Sequence, residues 1–217
     1  MQAAQRIGRQ SFYKYFQAFG YTERTGVDLP GEYRSIYGSY SDFYITELCV
    51  YSFGQTFKVT PLQQLTGICT VANGGTRHSA SILKSVRSYD YSEKVYERQD
   101  EVLSTVESPQ YNWDAIHEGM KEVINSPMNE TNYLNFYDCA VTVAGKTGTA
   151  QKGEGIKNDG LFICYAPYED PEIAVAVVVE RGHAGASVGF IARQIVDVYL
   201  NIRSYSNTSE SEMSLLK

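Results

Sequence analysis

Apolar positions along this chain recur first with the period of a helix, then with the period of a strand, then in short continuous runs. Ile7, Phe12, Tyr15, Phe16 and Phe19 lie at helical spacing, and Gly20 follows as a C-cap, which predicts a helix over the first twenty residues. Residues 25–32 are turn-rich, with Gly26, Pro30 and Gly31 at the bends. Residues 33–56 are dense in Tyr, Ser and Gly with little periodicity, and read as loop with short extended pieces. Thr60-Pro61 sets an N-cap and a first helical position. Leu62, Leu65, Ile68, Cys69 and Ala72 then form an apolar face that Asn73-Gly74-Gly75 ends. Residues 79–107 alternate closer to period two, through Ile82, Val86, Tyr89, Val95 and Tyr96, predicting one or two hairpins. A second helix is expected over 113–124, with Trp113, Ile116, Met120 and Val123 on one face and Asn125-Ser126-Pro127 closing it.

The last third changes character. Apolar, β-branched runs cover 140–149, 161–165 and 173–179, joined by turn-forming links at 152–159 and 167–171. Links that short predict an antiparallel meander. The run 174–179 is apolar on both faces, which fits a central strand covered by helices on both sides. A closing helix is expected over 186–202, then a polar tail over 204–217. The layering is α+β: a mostly helical and loop segment over 1–140, then a β-meander with a packed terminal helix over 141–203.

Composition narrows the function classes. At 217 residues, 43% hydrophobic and 20% charged, the chain suits one sizeable core or most of a larger domain, not a disordered segment. Nineteen Lys and Arg against 25 Asp and Glu leave a formal charge of −6, which argues against a nucleic-acid surface. The longest apolar run, 173–179, falls far below the roughly 20 residues of a membrane helix, and the polar N-terminus has no signal-peptide core. A soluble chain is expected. Cys49, Cys69, Cys139 and Cys164 form no C-x-x-C, and His78, His117 and His183 do not flank them at metal spacing. Buried free thiols are expected, with no metal and no cofactor.

The stretch that carries chemistry is Val143-Ala144-Gly145-Lys146-Thr147-Gly148-Thr149-Ala150-Gln151. On a strand it makes a binding ridge for an acyl substrate. Lys146 supplies a positive field, and the hydroxyls of Thr147 and Thr149 can hold a carboxylate. Gly148 removes the side chain that would block a ligand lying along the strand, and backbone N–H groups near Thr149 can serve an oxyanion. Read without its surroundings, the same peptide is equally a β-strand with an exposed lysine.

The surroundings resemble the transpeptidase domain of class B penicillin-binding proteins. Thr25-Gly26-Val27-Asp28-Leu29-Pro30-Gly31-Glu32 is similar to that family's turn after its mid-domain helix. Phe53-Gly54-Gln55, Val59-Thr60-Pro61-Leu62-Gln63 and Val71-Ala72-Asn73-Gly74-Gly75 are similar to its G-Q, T-P-L-Q and A-N-G-G motifs in order and spacing. Residues 144–151 resemble its A-G-K-T-G-T-A-Q strand, and 162–167 with 173–180 the hairpin that follows. The resemblance spans residues 5–203. It implies a partial penicillin-binding transpeptidase fold, of the serine β-lactamase type. It also implies that Lys146, Thr147 and Gly148 form the third active-site motif, with Thr147 at the ligand carboxylate and the Thr149 N–H at the oxyanion. The reaction it implies is serine acyl transfer that crosslinks peptidoglycan stem peptides, open to β-lactams, in a membrane-anchored parent outside the cytoplasm.

The chain departs from the pattern in its nucleophile. S-x-N is absent. S-x-x-K occurs at Ser11–Lys14, Ser81–Lys84 and Ser214–Lys217, none at the family's position. The expectation is therefore a C-terminal part of the domain that is inactive alone, pairing with its missing half or with itself. Two alternatives stand beside it: a non-catalytic scaffold module of the cell-wall machinery, and a hydrolase using Ser11 and Lys14. Glu118 and Glu122 read as a solvated helix face, His183 as a surface residue, and Asn129-Glu130-Thr131 and Asn207-Thr208-Ser209 as glycosylation-type sequons without consequence in a bacterial chain.

Overall fold

A computed structural model describes residues 2–36 and 39–200. The chain divides into two compact units, Met1–Gly119 and Met120–Lys217. The change from helix-rich to strand-rich sequence near residue 140 therefore falls inside the second unit.

The first unit begins with α1 (Gln2–Ala18), interrupted at Gly8, where φ is 75°. Phe16 stacks on Phe57 with ring centroids 4.4 Å apart, and both surround the fully buried Phe43 together with Tyr51 and Leu48. That cluster explains a difference from the sequence reading. Residues 40–47 form two 3-10 turns and Leu48–Tyr51 a short helix, α2, in place of extended pieces. Helical spacing turns Leu48 and Tyr51 inward together, which strand alternation cannot do for residues three apart.

Helix α3 (Pro61–Ala72) starts as expected. Thr60 Oγ1 accepts from Gln63 N at 3.1 Å and Gln63 Oε1 accepts from Thr60 N at 2.9 Å, a reciprocal capping box. Its buried face is Gln63, Gly67, Ile68 and Thr70, while Cys69 is exposed, contrary to the expected apolar stripe. Gln63 can be buried because its Nε2 donates to Glu23 O at 2.7 Å. Strands β1 (Thr76–His78) and β4 (Val102–Thr105) pair antiparallel and enclose the hairpin of β2 (Ser85–Arg87) and β3 (Lys94–Glu97). Helix α4 (Gln110–Asn125) carries the chain out of this unit. Trp113 is buried, but Ile116 is 43% exposed, so the apolar face is narrower than its spacing suggests.

The second unit holds a helix the sequence reading did not contain, α5 (Glu130–Phe136). Strands β5 (Ala144–Ala150), β6 (Asp159–Ala166) and β7 (Ile173–Val179) form the expected antiparallel meander in the order β5-β6-β7. The central strand is β6, not β7. Phe162, Cys164, Tyr165 and Ala166 are buried, whereas β7 alternates, with Val175 and Val177 inside and Val178 41% exposed. A central strand is shielded along both edges by its neighbours and an edge strand along only one, so more side-chain surface of β7 reaches water. The closing segment is a 3-10 turn, Gly185–Val188, then α6 (Gly189–Tyr199), whose Ala192 and Val196 pack with Phe136 and Phe162. The expected polar tail lies outside the described residues. Cys164 is buried, Cys49 and Cys139 half-buried and Cys69 exposed, and no disulfide joins any two of them.

Candidate functional site

Strand β5 is small and apolar where it meets the core and polar where it leaves it. Ala144 and Gly145 are buried, Lys146 and Thr149 exposed, Thr147 and Gly148 half-buried. Pairing with β6 fixes the register: Lys146 opposite Ile163, Thr147 opposite Phe162, Gly148 opposite Leu161 and Thr149 opposite Gly160. Among the described residues no strand pairs with the other edge of β5. Lys146 Nζ donates to Thr147 O at 2.7 Å, folding the lysine along its own strand. The N–H and C=O of one residue in an antiparallel strand point the same way and repeat at every second residue, so the Thr149 N–H shares its side with the Thr147 carbonyl.

The far end of β5 is fastened by charge. Lys152 Nζ lies 2.7 Å from Asp159 Oδ2, and Asp159 Oδ1 accepts from Arg181 N at 2.9 Å. The Lys152 ammonium, with help from that N–H, holds the Asp159 carboxyl below its usual range, and Asp159 in turn raises Lys152. Thr149 Oγ1 accepts from Gly185 N at 3.1 Å. Gly185 is buried, and a Cβ there would stand 2.3 Å from Gly148 O and 2.4 Å from Leu161 O. A methyl group cannot fit against backbone at that distance, so the chain after β7 touches the Lys146–Thr149 segment only because residue 185 is glycine. The sequence reading missed this contact. Gly182 and Gly185 in the turn after β7 were its only trace.

The serine–lysine pairs are dispersed. Ser11 and Lys14 lie on α1 in the first unit, and Lys146 on β5 in the second. Ser81 Oγ donates to Asp28 Oδ2 at 2.8 Å, and Ile82 N and Leu83 N donate to the same carboxylate. The Ile82 N–H, the Ser81 hydroxyl and the Leu83 N–H pull Asp28 down to about 2. That hydroxyl therefore fixes a loop, and Ser81–Lys84 lies ahead of β2, not on a strand as its alternation suggested. Ser214–Lys217 and Asn207 lie outside the described residues. Glu118 and Glu122 are exposed on α4, and His183 is exposed with φ 68°. No group of His, Cys, Asp and Glu among the described residues could hold a metal ion.

The model of the penicillin-binding protein transpeptidase domain matches residues 1–197. The chain belongs to that family. Stage V sporulation protein D of Bacillus subtilis is 29% identical over 186 residues, covering 83% of this chain and 28% of that protein. Peptidoglycan D,D-transpeptidase MrdA of Acinetobacter baumannii is 28% identical over 231 residues, covering 92% of this chain and 32% of that protein. This transpeptidase-family chain thus spans about a third of the length of those relatives. Penicillin-binding protein 2 of Pseudomonas aeruginosa superposes with a TM-score of 0.78 at 23% identity, over 95% of this chain and 47% of that one. Penicillin-binding protein A of Mycobacterium tuberculosis, seen as a penicillin G acyl-enzyme, superposes with a TM-score of 0.72 at 25% identity, over 92% and 45%. The α+β fold of the chain is that of penicillin-binding transpeptidase domains.

Proposed function

We propose that this chain supplies the K-T-G wall of a D,D-transpeptidase acyl-transfer site used in peptidoglycan synthesis. The supporting observation is the open edge of β5, where Lys146, Thr147, Gly148 and Thr149 stand on a strand with no partner beyond β6 among the described residues. A D-Ala-D-Ala terminus or a β-lactam offers a carboxylate and a carbonyl that becomes an oxyanion. Thr147 and the Lys146 field suit the carboxylate, and the Thr149 N–H suits the oxyanion. The reaction is attack by a serine on that carbonyl, followed by transfer of the acyl group to an amine of another stem peptide. No S-x-N is present, and the Ser81 hydroxyl is already committed to Asp28. The chain therefore binds without turning over, and the activity of a complete domain needs a nucleophile from elsewhere. Its setting is the outer face of the bacterial membrane, reached through a parent chain. No helix among the described residues is long and apolar enough to cross a membrane.

Fluorescent penicillin and intact-mass measurement test this reading, with an active full-length relative as the positive control. The expected result is no stoichiometric adduct on this chain. An adduct would overturn the reading and direct the search to Ser11. Noncovalent binding is followed by amide shifts of Thr147, Gly148 and Thr149 on titration with benzylpenicillin. Thr147→Val should weaken it about tenfold or more, since hydrogen bonds to charged groups contribute about 1.5–3 kcal/mol. A scaffold lacking any ligand role predicts no response in either protein.

A further inference from the structure

The chain leaving β7 crosses the end of the β5–β6 hairpin as a strap over residues 181–185. Its backbone N–H groups at alternate residues are given to that hairpin: Arg181 N to Asp159 Oδ1 at 2.9 Å, His183 N to Asn158 O at 3.0 Å, and Gly185 N to Thr149 Oγ1 at 3.1 Å. Arg181 and His183 hold positive φ, 57° and 68°, a conformation that residues with side chains seldom adopt and that a simple reverse turn would assign to glycine. Gly185 then lies buried against the Gly148 backbone with no space for a Cβ. The two strained residues give their N–H groups to Asn158 and Asp159 at the start of β6. The forced glycine gives its own to Thr149 on the K-T-G strand, so the strap fastens both strands of the hairpin.

We propose that this strap is a positioning element for Thr149. A threonine hydroxyl is ambivalent: one proton to donate, two lone pairs to accept. With the Gly185 N–H on Oγ1, the proton is the group left for a ligand, so the strap turns the hydroxyl into a donor suited to an anion. The outer fastening is Asp159, which holds Arg181 N and Lys152 together and so keeps the strap in register. The inference rests on β5 being the ligand wall proposed above, and it adds the group that orients that wall from behind.

Two measurements on the ¹⁵N-labelled full chain test it. The first is hydrogen exchange of the Gly185 amide, which needs no ligand. Thr149→Val keeps the β-branched shape and removes the acceptor, and should speed this exchange about fivefold or more without changing amides in α6, whereas Thr149→Ser should restore it. Unchanged exchange in Thr149→Val overturns the strap. The second is titration with N-acetyl-D-alanyl-D-alanine, read from the Thr147–Thr149 amide shifts. Thr149→Val should bind about tenfold more weakly, Thr149→Ser should recover, and Asp159→Asn should weaken binding through a loosened strap. Because Asp159 acts through Thr149, Asp159→Asn should cost nothing further in the Thr149→Val background. Additive losses overturn the positioning role. No shift in the wild-type chain overturns the ligand wall and the donor role with it, while the exchange measurement still decides, independently of any ligand, whether the Gly185–Thr149 bond holds the strap.

Discussion

Single backbone positions carry more of this fold than their side chains suggest. Gly75 holds φ at 113°, its N–H donates to Thr70 O at 2.8 Å and its carbonyl accepts from Val106 N at 2.8 Å. A Cβ at 75 would stand 2.6 Å from Val106 O and 2.7 Å from Trp113 Cζ2. Gly75→Ala should therefore combine backbone strain with overpacking and lower stability by about 3 kcal/mol, measured by urea unfolding followed through the emission of Trp113. The Asp28 carboxylate sets the other residue-scale expectation. Its folded value of about 2 lies below the ordinary carboxylate value near 3.9. Its contribution to stability is thus full above pH about 4 and disappears as pH falls through about 2. The stability gap between wild type and Asp28→Asn should shrink across that window, and a ¹³C carboxyl titration should show Asp28 still ionised at pH 3. A midpoint near 4 would show that the loop formed by Ser81, Ile82 and Leu83 is not held by this carboxylate.

Elements legible in the sequence were those whose pattern and packing agree. Helix α3 announced itself through Thr60-Pro61 and Gln63, and the β5–β7 meander through apolar runs with short links. Lys146 to Thr149 fell on a strand as expected, and its open edge followed once the meander order was known. Helices α2 and α5 stayed hidden because four and seven residues give almost no period to read, and their turns form around contacts distant in sequence, Phe12 against Tyr51 and Phe162 against Phe136. The strap over 181–185 was hidden for another reason: its bonds come from backbone N–H groups, which leave no residue signature. Helix α6 shows what its spacing also concealed. Arg193 is 5% exposed and gives Nε to Asp197 Oδ1 and Nη1 to Asp138 Oδ1, both at 2.7 Å, which ties the helix to the segment before β5. Removing one partner leaves a buried charge, so Arg193→Met should cost about 3–5 kcal/mol, while Arg193→Met with Asp197→Leu should recover much of it. Guanidinium unfolding monitored by backbone amide signals of β5–β7 checks both, and equal losses in the single and double variants would refute the pairing argument.

At the scale of the whole chain the two buried clusters share no residue: Phe16, Phe43, Leu48 and Tyr51 in one, Phe136, Phe162, Val177 and Val196 among the other. The K-T-G strand belongs to the second alone, since Thr147 stands opposite Phe162, whose ring stacks on Phe136 at 5.7 Å. Trp113 is the single tryptophan and lies in the first unit outside both clusters, so it reports on that unit while amides of β5–β7 report on the second. Phe162→Ala should cost about 3–5 kcal/mol in the amide-detected transition. It should lower the amide-detected midpoint more than the Trp113 midpoint, because Phe162 packs in the second cluster and Trp113 lies outside it. Phe43→Ala should do the reverse. The functional consequence is directional: Phe162→Ala should abolish the response of Thr147–Thr149 to benzylpenicillin at temperatures where Trp113 is still native, and Phe43→Ala should leave that response in place. If the two probes instead move together in both variants, the chain unfolds as one cooperative body, and the strand that faces ligand draws its stability from both cores.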